Sequence, residues 1–344
     1  MSEPNDERAA LDLDALRGYL ADQGIPILGP LTATVITGGR SNLTFKVHDD
    51  MHAWVVRRPP TAGLTPSAHD VGREFRIVEA LQRTAVPVAP AIANCADASV
   101  MGFPFSVVGY VPGRVLRTQV DLTGLSKGEI SRCHREMIRV LVELHAVSYR
   151  DVGLEEFGRP EGFVERQVRR WRQQWTRVAT RELVEVDRLY RSLCGRLPPP
   201  MEASLVHGDY RIDNTLLDPR NVGRVLALVD WEMATLGDPL TDVATMCAYR
   251  HPEFDHVVGE PAASTSDRWP TVDKIVEDYG AESGRDLCNF DFYMGLAYFK
   301  LAVIAEGIGS RYLAGAGDGP GYSTAAKSVP GLLAAGLSAL SGKG

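Results

Sequence analysis

The chain has 344 residues, of which 44% are hydrophobic and 24% charged. That apolar share can bury a sizeable core and excludes a wholly disordered chain, and the length suggests about two domains. A net charge of −7, from 37 Lys and Arg against 44 Asp and Glu, argues against general nucleic-acid affinity but leaves room for a local basic patch.

The start, Met1 to Glu7 (MSEPNDE), is acidic where a secretory signal needs positive charge and then an apolar stretch. Leu13, Leu16 and Leu20 then recur at helical spacing until Gly24 and Pro26 end that segment. Residues 32–37, 43–48 and 53–58 are short, rich in β-branched and aromatic residues and separated by turn signals, so they are predicted strands. Gly38-Gly39-Arg40-Ser41-Asn42 joins the first pair, and Pro59-Pro60 stops the third strand. A helix is predicted over 69–83, then a strand ending at Val107-Val108-Gly109-Tyr110.

Beyond Pro112-Gly113 the pattern turns helical, with predicted helices over 127–147, 161–196, 239–249 and 291–313. Residues 215–218 and 225–230 read as a small hairpin between them. The span 251–270 is polar with little periodicity and reads as a mobile surface loop. The best membrane candidate, 295–309, is short for a bilayer and is interrupted by Lys300 and Glu306. Five scattered cysteines without a C-x-x-C pair make neither a disulfide framework nor a zinc site. Together these features predict a soluble, cytoplasmic protein with no membrane or nucleic-acid partner; they leave its oligomeric state open.

Chemistry concentrates in Leu205-Val206-His207-Gly208-Asp209-Tyr210-Arg211-Ile212-Asp213-Asn214, followed by Val225 to Val229 and Asp230-Trp231-Glu232. Phosphoryl transfer needs a carboxylate facing the acceptor hydroxyl, oxygen ligands for magnesium and a cation near the moving phosphoryl group. Asp209, Arg211, Asn214 and Asp230 supply these functions.

His207-x-Asp209 with Asn214 five positions after the Asp resembles the catalytic loop of the aminoglycoside phosphotransferase family, a branch of the protein-kinase-like fold. HGDYRIDN followed by ALVDWEMATLGDPLTDVA resembles, more narrowly, the kinase-like domains fused to some acyl-CoA dehydrogenases. The resemblance implies an α+β, bilobal fold, with a small antiparallel-sheet N-lobe (1–111) and a larger helical C-lobe (112–344) carrying the catalytic loop, metal site and acceptor site. It implies that Asp209 orients the acceptor hydroxyl and takes its proton, and that Asn214 and Asp230 bind Mg2+. Arg211 sits where protein kinases place a phosphate-contacting lysine, and His207 reads as an orienting group.

On the nucleotide side, Gly39, Ser41 and Asn42 belong to a glycine-rich turn whose backbone N–H groups could approach phosphate. Protein kinases pair a strand lysine with a helix glutamate; here the strand offers Arg57, with Arg58 as a competitor, and the helix offers Glu74. Strand alternation puts Arg57 and Arg58 on opposite faces. Tyr110 and Val111 resemble the hinge whose backbone holds adenine. The implied cofactors are ATP, with GTP left open, and Mg2+.

At about 100° per residue, Arg166, Arg170, Arg177 and Arg181 share one face of the helix predicted over 161–196, opposite Val164, Val168, Trp171 and Trp175. Such a face reads either as a plain solvated surface or as a border of the acceptor site, which would suit an anionic hydroxyl acceptor such as a hydroxyacyl-CoA and repel polycationic aminoglycosides. The alternatives are an antibiotic phosphotransferase, with Glu253, Asp255, Glu260 and Asp267 as its acidic groups, or a non-catalytic nucleotide-binding protein.

Overall fold

The computed structural model of the protein describes residues 11–36, 42–60 and 70–342. Helix α1 (Leu13–Asp22) starts where Asp12 accepts the Ala15 N–H at 2.9 Å, as an N-cap carboxylate does. Then come strands β1 (Thr32–Val35), β2 (Leu43–His48) and β3 (Ala53–Arg58), helix α2 (Val71–Leu81), and strands β4 (Ala91–Cys95) and β5 (Phe105–Gly109). The five strands form one antiparallel sheet in the order β1-β2-β3-β5-β4. Alternation along β2 and β3 sends Phe45, Val47, Trp54 and Val56 to one face. There they pack with Leu16 and Leu20 of α1 and with Phe105 and Val107 of β5. Burying each such side chain stabilises the fold by about 1.5–3 kcal/mol.

A second set of elements is mainly helical: α3 (Gln119–Thr123), α4 (Lys127–Ala146), α5 (Phe163–Val178), α6 (Val184–Cys194), strands β6 (Ser204–Val206), β7 (Thr215–Asp218), β8 (Asn221–Leu228) and β9 (Thr235–Gly237), then α7 (Leu240–Ala248), α8 (Phe254–Val258), α9 (Val272–Ser283), α10 (Phe290–Leu313) and α11 (Val329–Leu340). A capping box opens α4, with Ser126 and Glu129 bonded reciprocally. Strands β6 and β9 pair antiparallel, fixing the two ends of the Val206–Thr235 register around the catalytic loop.

Two compact units result: Met1–Pro112 with Leu226–Glu232, and Gly113–Val225 with Met233–Gly344. The second segment of the first unit differs from the expected division into 1–111 and 112–344, and it takes Asp230 with it. Backbone pairing is the reason: Leu228 N–H donates to the Pro87 carbonyl at 2.8 Å, and Leu228 bridges Val88 in parallel.

The helix expected over 161–196 is two helices. No glycine or proline marks the break at 179–183; buried Glu306 of α10 makes it, accepting Thr180 N–H at 3.0 Å and Thr180 Oγ1–H at 2.6 Å and pairing with Arg181 at 3.1 Å. The four-arginine face is corrected with it, because Arg181 lies beyond the end of α5. Arg166 is bonded to the carbonyls of Glu161 and Arg159. Val168, Trp171 and Trp175 do pack inward.

The span 251–270 is not an open loop. It holds α8 and a short 3-10 turn at Ala263–Thr265, and it buries Phe254, Val257, Ala262, Ala263 and Trp269. Arg250 and Arg268 donate to carbonyls of Ser264 and Ser266, and of Leu122 and Leu125. Helix α10 is long and apolar enough to cross a membrane, yet 94% of its most apolar stretch is buried in the protein.

Candidate active site

Two groups of the expected residues assemble, one in each unit. In the sheet unit, Arg57 Nη1 pairs with Glu74 Oε2 at 2.7 Å and its Nη2 meets Asp230 Oδ1 at 3.4 Å. Asp70 caps α2 by accepting Arg73 N–H at 2.9 Å, which places Glu74 one turn in, facing β3. Burial pushes Glu74 up to about 7 against the opposing pull of Arg57. Asn42, expected at the phosphate turn, donates its side-chain amide to Glu74 Oε1 at 2.7 Å. Gly39 and Ser41 lie outside the described residues.

Arg58 separates cleanly from Arg57. It is 1% exposed, lies over the Phe103 ring at 4.3 Å and the Phe45 ring at 5.7 Å, and donates to the Pro59 carbonyl at 3.2 Å. Strand alternation therefore leaves Arg57 as the residue facing the carboxylates. Asp230 adopts φ +67°, a left-handed conformation that Asp tolerates better than most residues. Tyr110 N–H bonds to the Ala53 carbonyl at 3.0 Å, and Lys46 Nζ lies 4.1 Å from the Tyr110 ring centre. Val111 makes no backbone hydrogen bond among the described residues, so its N–H and C=O are free to face a base.

In the helical unit, Asp209 is clamped. Its Oδ2 accepts Asn214 Nδ2 at 3.0 Å and Arg211 Nε at 3.3 Å, while its Oδ1 accepts the Tyr249 hydroxyl. Burial would raise this carboxyl, but Arg211 and then Lys300 outweigh it and bring it to about 2. Asn214 also donates to the Asp209 carbonyl at 2.9 Å. Both bonds use its amino group, so Oδ1 is the atom left to act as a hard oxygen ligand. Arg211 is shared: Nη1 pairs with Asp213 at 2.7 Å, and the guanidinium lies over the Tyr249 and Phe254 rings at 5.6 and 5.9 Å.

The loop backbone is braced from beneath. Gly208 turns at φ +80°, where an added Cβ would collide with the Met233 carbonyl. Asp242 of α7, fully buried, accepts His207 N–H at 2.6 Å and Gly208 N–H at 2.8 Å. His207 Nδ1 accepts the Asp209 N–H at 3.2 Å. Lys300 Nζ of α10 donates to the Gly208 carbonyl, and burial lowers its affinity for a proton although Asp209 and Asp242 oppose this. Asp238 Oδ1 accepts Leu240 N–H at 3.0 Å and Oδ2 meets the Tyr293 hydroxyl at 2.7 Å.

Tyr249 and Lys300 escaped the sequence reading as site residues. Lys300 left a signal, a lysine inside an apolar helical run; Tyr249 left none, because its contact with Asp209 spans 40 residues. Of the two expected metal ligands, Asp230 offers a carboxylate in the sheet unit and Asn214 an amide oxygen in the helical unit. Among the described residues no three His, Cys, Asp or Glu side chains gather as a metal cage. Few protein oxygens plus substrate phosphates is the donor set that suits magnesium.

Comparison with known proteins agrees with this chemistry. The model of the phosphotransferase enzyme family matches residues 32–274. Acyl-CoA dehydrogenase family member 11 of Homo sapiens is 33% identical over 304 residues, covering 87% of this chain and 39% of that protein. Family member 10 of Mus musculus is 34% identical over 319 residues, covering 91% and 30%. This chain thus spans about two fifths or less of those two relatives. A putative aminoglycoside phosphotransferase from Ralstonia eutropha, solved by crystallography, superimposes with a TM-score of 0.81 at 31% identity, covering 96% of this chain and 99% of that one. An aminoglycoside phosphotransferase solved with AMP-PNP and hygromycin B shares the fold at a TM-score of 0.61 and 16% identity, covering 94% and 98%. The matched span, the α+β architecture and the clamped His207-x-Asp209 loop make this chain a member of the aminoglycoside phosphotransferase family of small-molecule kinases.

Proposed function

We propose that the protein transfers the γ-phosphoryl group of ATP to the hydroxyl of an anionic small molecule, with hydroxyacyl-CoA thioesters the class to test first. The observation that carries the reading is the setting of Asp209, a half-buried carboxylate held by Asn214, Arg211 and Tyr249 with Lys300 beside it. A hydroxyl bonded to Asp209 attacks the γ-phosphorus, the new O–P bond forms as the bond to ADP breaks, and the proton passes to Asp209. Arg57, fixed by Glu74, is the proposed phosphate contact, and Val111 offers its backbone to the base. Asn214 and Asp230 are the proposed magnesium ligands; when bound, the ion neutralises phosphate charge.

Charge favours an anionic acceptor. Arg211 and Lys300 both act on Asp209, and Arg170 lies close enough to Lys300 to repel its charge. The acidic groups that a polycation would need are partly engaged elsewhere, since Asp255 Oδ1 accepts Ala262 N–H at 2.9 Å and Thr265 Oγ1–H at 2.7 Å. The test is a transfer screen with labelled ATP over hydroxyacyl-CoA, sugar, amino-alcohol and antibiotic acceptors. Efficient phosphorylation of kanamycin-like polycations beside inert acyl-CoA substrates would overturn the preference for an anion.

A further inference from the structure

The hydrogen bonds of Asp209 are unequally divided between its two oxygens. Each carboxylate oxygen offers about two acceptor positions. Both positions on Oδ2 are filled, by Arg211 Nε and Asn214 Nδ2, whereas Oδ1 takes one protein donor, the Tyr249 hydroxyl. Any hydroxyl bonded by this carboxylate must therefore use the second position of Oδ1, directly beside the Tyr249 oxygen.

Tyr249 is itself tightly held. It is 5% exposed and closes the C-terminus of α7, where its N–H meets the Thr245 carbonyl at 3.2 Å. Its own carbonyl accepts the Ser264 hydroxyl at 2.8 Å. Its ring lies 4.6 Å from that of Phe254, and the Arg211 guanidinium covers both rings. The hydroxyl cannot swing away without disturbing the residue that grips the other oxygen of the same carboxylate.

We infer that Tyr249 is a positioning residue of the phosphotransferase: its hydroxyl fixes the rotation of the Asp209 carboxylate and so aims the remaining acceptor position of Oδ1 at the incoming hydroxyl. The inference rests on the proposed phosphotransfer reading. It also gives the 251–270 span a purpose, since Phe254 and Ser264 secure Tyr249 from that segment.

The experiment compares wild type, Tyr249→Phe and Ser264→Ala for transfer of label from ATP, with magnesium, to water and to 3-hydroxybutyryl-CoA or whichever acceptor the screen selects. Tyr249→Phe keeps the ring stack and removes only the hydroxyl. A misaimed reacting group lowers turnover by about 10- to 100-fold, so kcat is expected to fall by that factor. The KM values for ATP and acceptor should stay within about twofold, because neither binding surface is changed. Ser264→Ala loosens the same residue without removing its hydroxyl and should give a smaller fall in kcat; it keeps the test decisive if Tyr249→Phe misfolds. A rise in acceptor KM at unchanged kcat would make Tyr249 a wall of the binding site, and a fall in acceptor KM with kcat retained would make its hydroxyl a competitor for the acceptor. Either result, or a Tyr249→Phe protein with wild-type kcat, overturns this inference while leaving the phosphotransfer reading intact. A wild-type protein that transfers no label to any acceptor, water included, overturns both.

Discussion

Replacing Asp242 by alanine should remove the foundation of the catalytic loop. The carboxylate is fully buried and accepts three donors: His207 N–H at 2.6 Å, Gly208 N–H at 2.8 Å and His145 Nε2 at 3.3 Å. His145 is itself buried, and burial lowers its proton affinity more than Asp242 raises it; its Nδ1 meets the Tyr279 hydroxyl at 2.8 Å. Asp242→Ala strands all three donors where water does not reach. Each stranded group is worth about 1–3 kcal/mol, so with partial relaxation the loss should be about 4 kcal/mol. That is a large share of the roughly 5–15 kcal/mol typical of a whole domain. Urea unfolding, read as a shift in midpoint at constant slope, measures it. Asp242→Asn keeps one acceptor oxygen and should lose about half as much. A loss below about 1 kcal/mol for Asp242→Ala would show that the loop does not depend on this carboxylate.

The acid limb of stability should carry the mark of the same residues: Asp209 and Asp242 both have lowered folded-state values, so their stabilisation is present above about pH 4 and is lost as pH falls, through about 2 for Asp209. Glu74 works in the opposite sense, because its raised value of about 7 makes the folded state bind more protons than the unfolded one between roughly pH 4.5 and 7. Stability therefore falls with rising pH across that window, and Glu74→Gln should flatten the slope; equal slopes in thermal melts would refute the assignment. Arg58→Ala should lower stability by about 1–3 kcal/mol with ATP affinity unchanged. Arg57→Gln should weaken ATP binding by roughly tenfold, as loss of a charge-assisted contact does; reversal of the two outcomes in calorimetry would exchange their roles. Glu306→Ala strands the Thr180 N–H and hydroxyl and removes the Arg181 ion pair, and should destabilise by about 2–4 kcal/mol, seen as a drop in Tm.

The parts that could be read from sequence are those whose cause is local. Strands β2 and β3 follow from β-branched residues between turn signals, and α4 from its Ser126–Glu129 box and apolar period. The Asp209, Arg211 and Asn214 group was legible because a loop of six residues, 209–214, brings Arg211 and Asn214 to the Asp209 carboxylate. Distant causes were not legible. The break between α5 and α6 is set by Glu306, more than a hundred residues away. The 251–270 span is ordered by arginines bonded to carbonyls of other segments, which leave no periodicity. Helix α9 was missed although its Thr271 cap accepts Lys274 N–H at 3.3 Å and Ile275 and Tyr279 are spaced one turn apart. The choice of Arg57 over Arg58 sits between these cases, since alternation separates the two but only Phe45 and Phe103 show which one is packed away.

Helix α10 also bears on how the chain is handled before it folds. As it leaves the ribosome, 290–313 presents a membrane-insertion machinery with a segment of adequate length and apolarity. Lys300 lies near its middle and Glu306 six residues later, and a lysine or acidic residue at a helix centre opposes insertion by about 2.5–3.5 kcal/mol on translocon scales. In the finished protein the same two groups are engaged internally, one on the Gly208 carbonyl and the other on Thr180 and Arg181. A charge-to-leucine change at both positions would therefore remove two internal anchors and, before folding, turn a core helix into a candidate for the lipid bilayer.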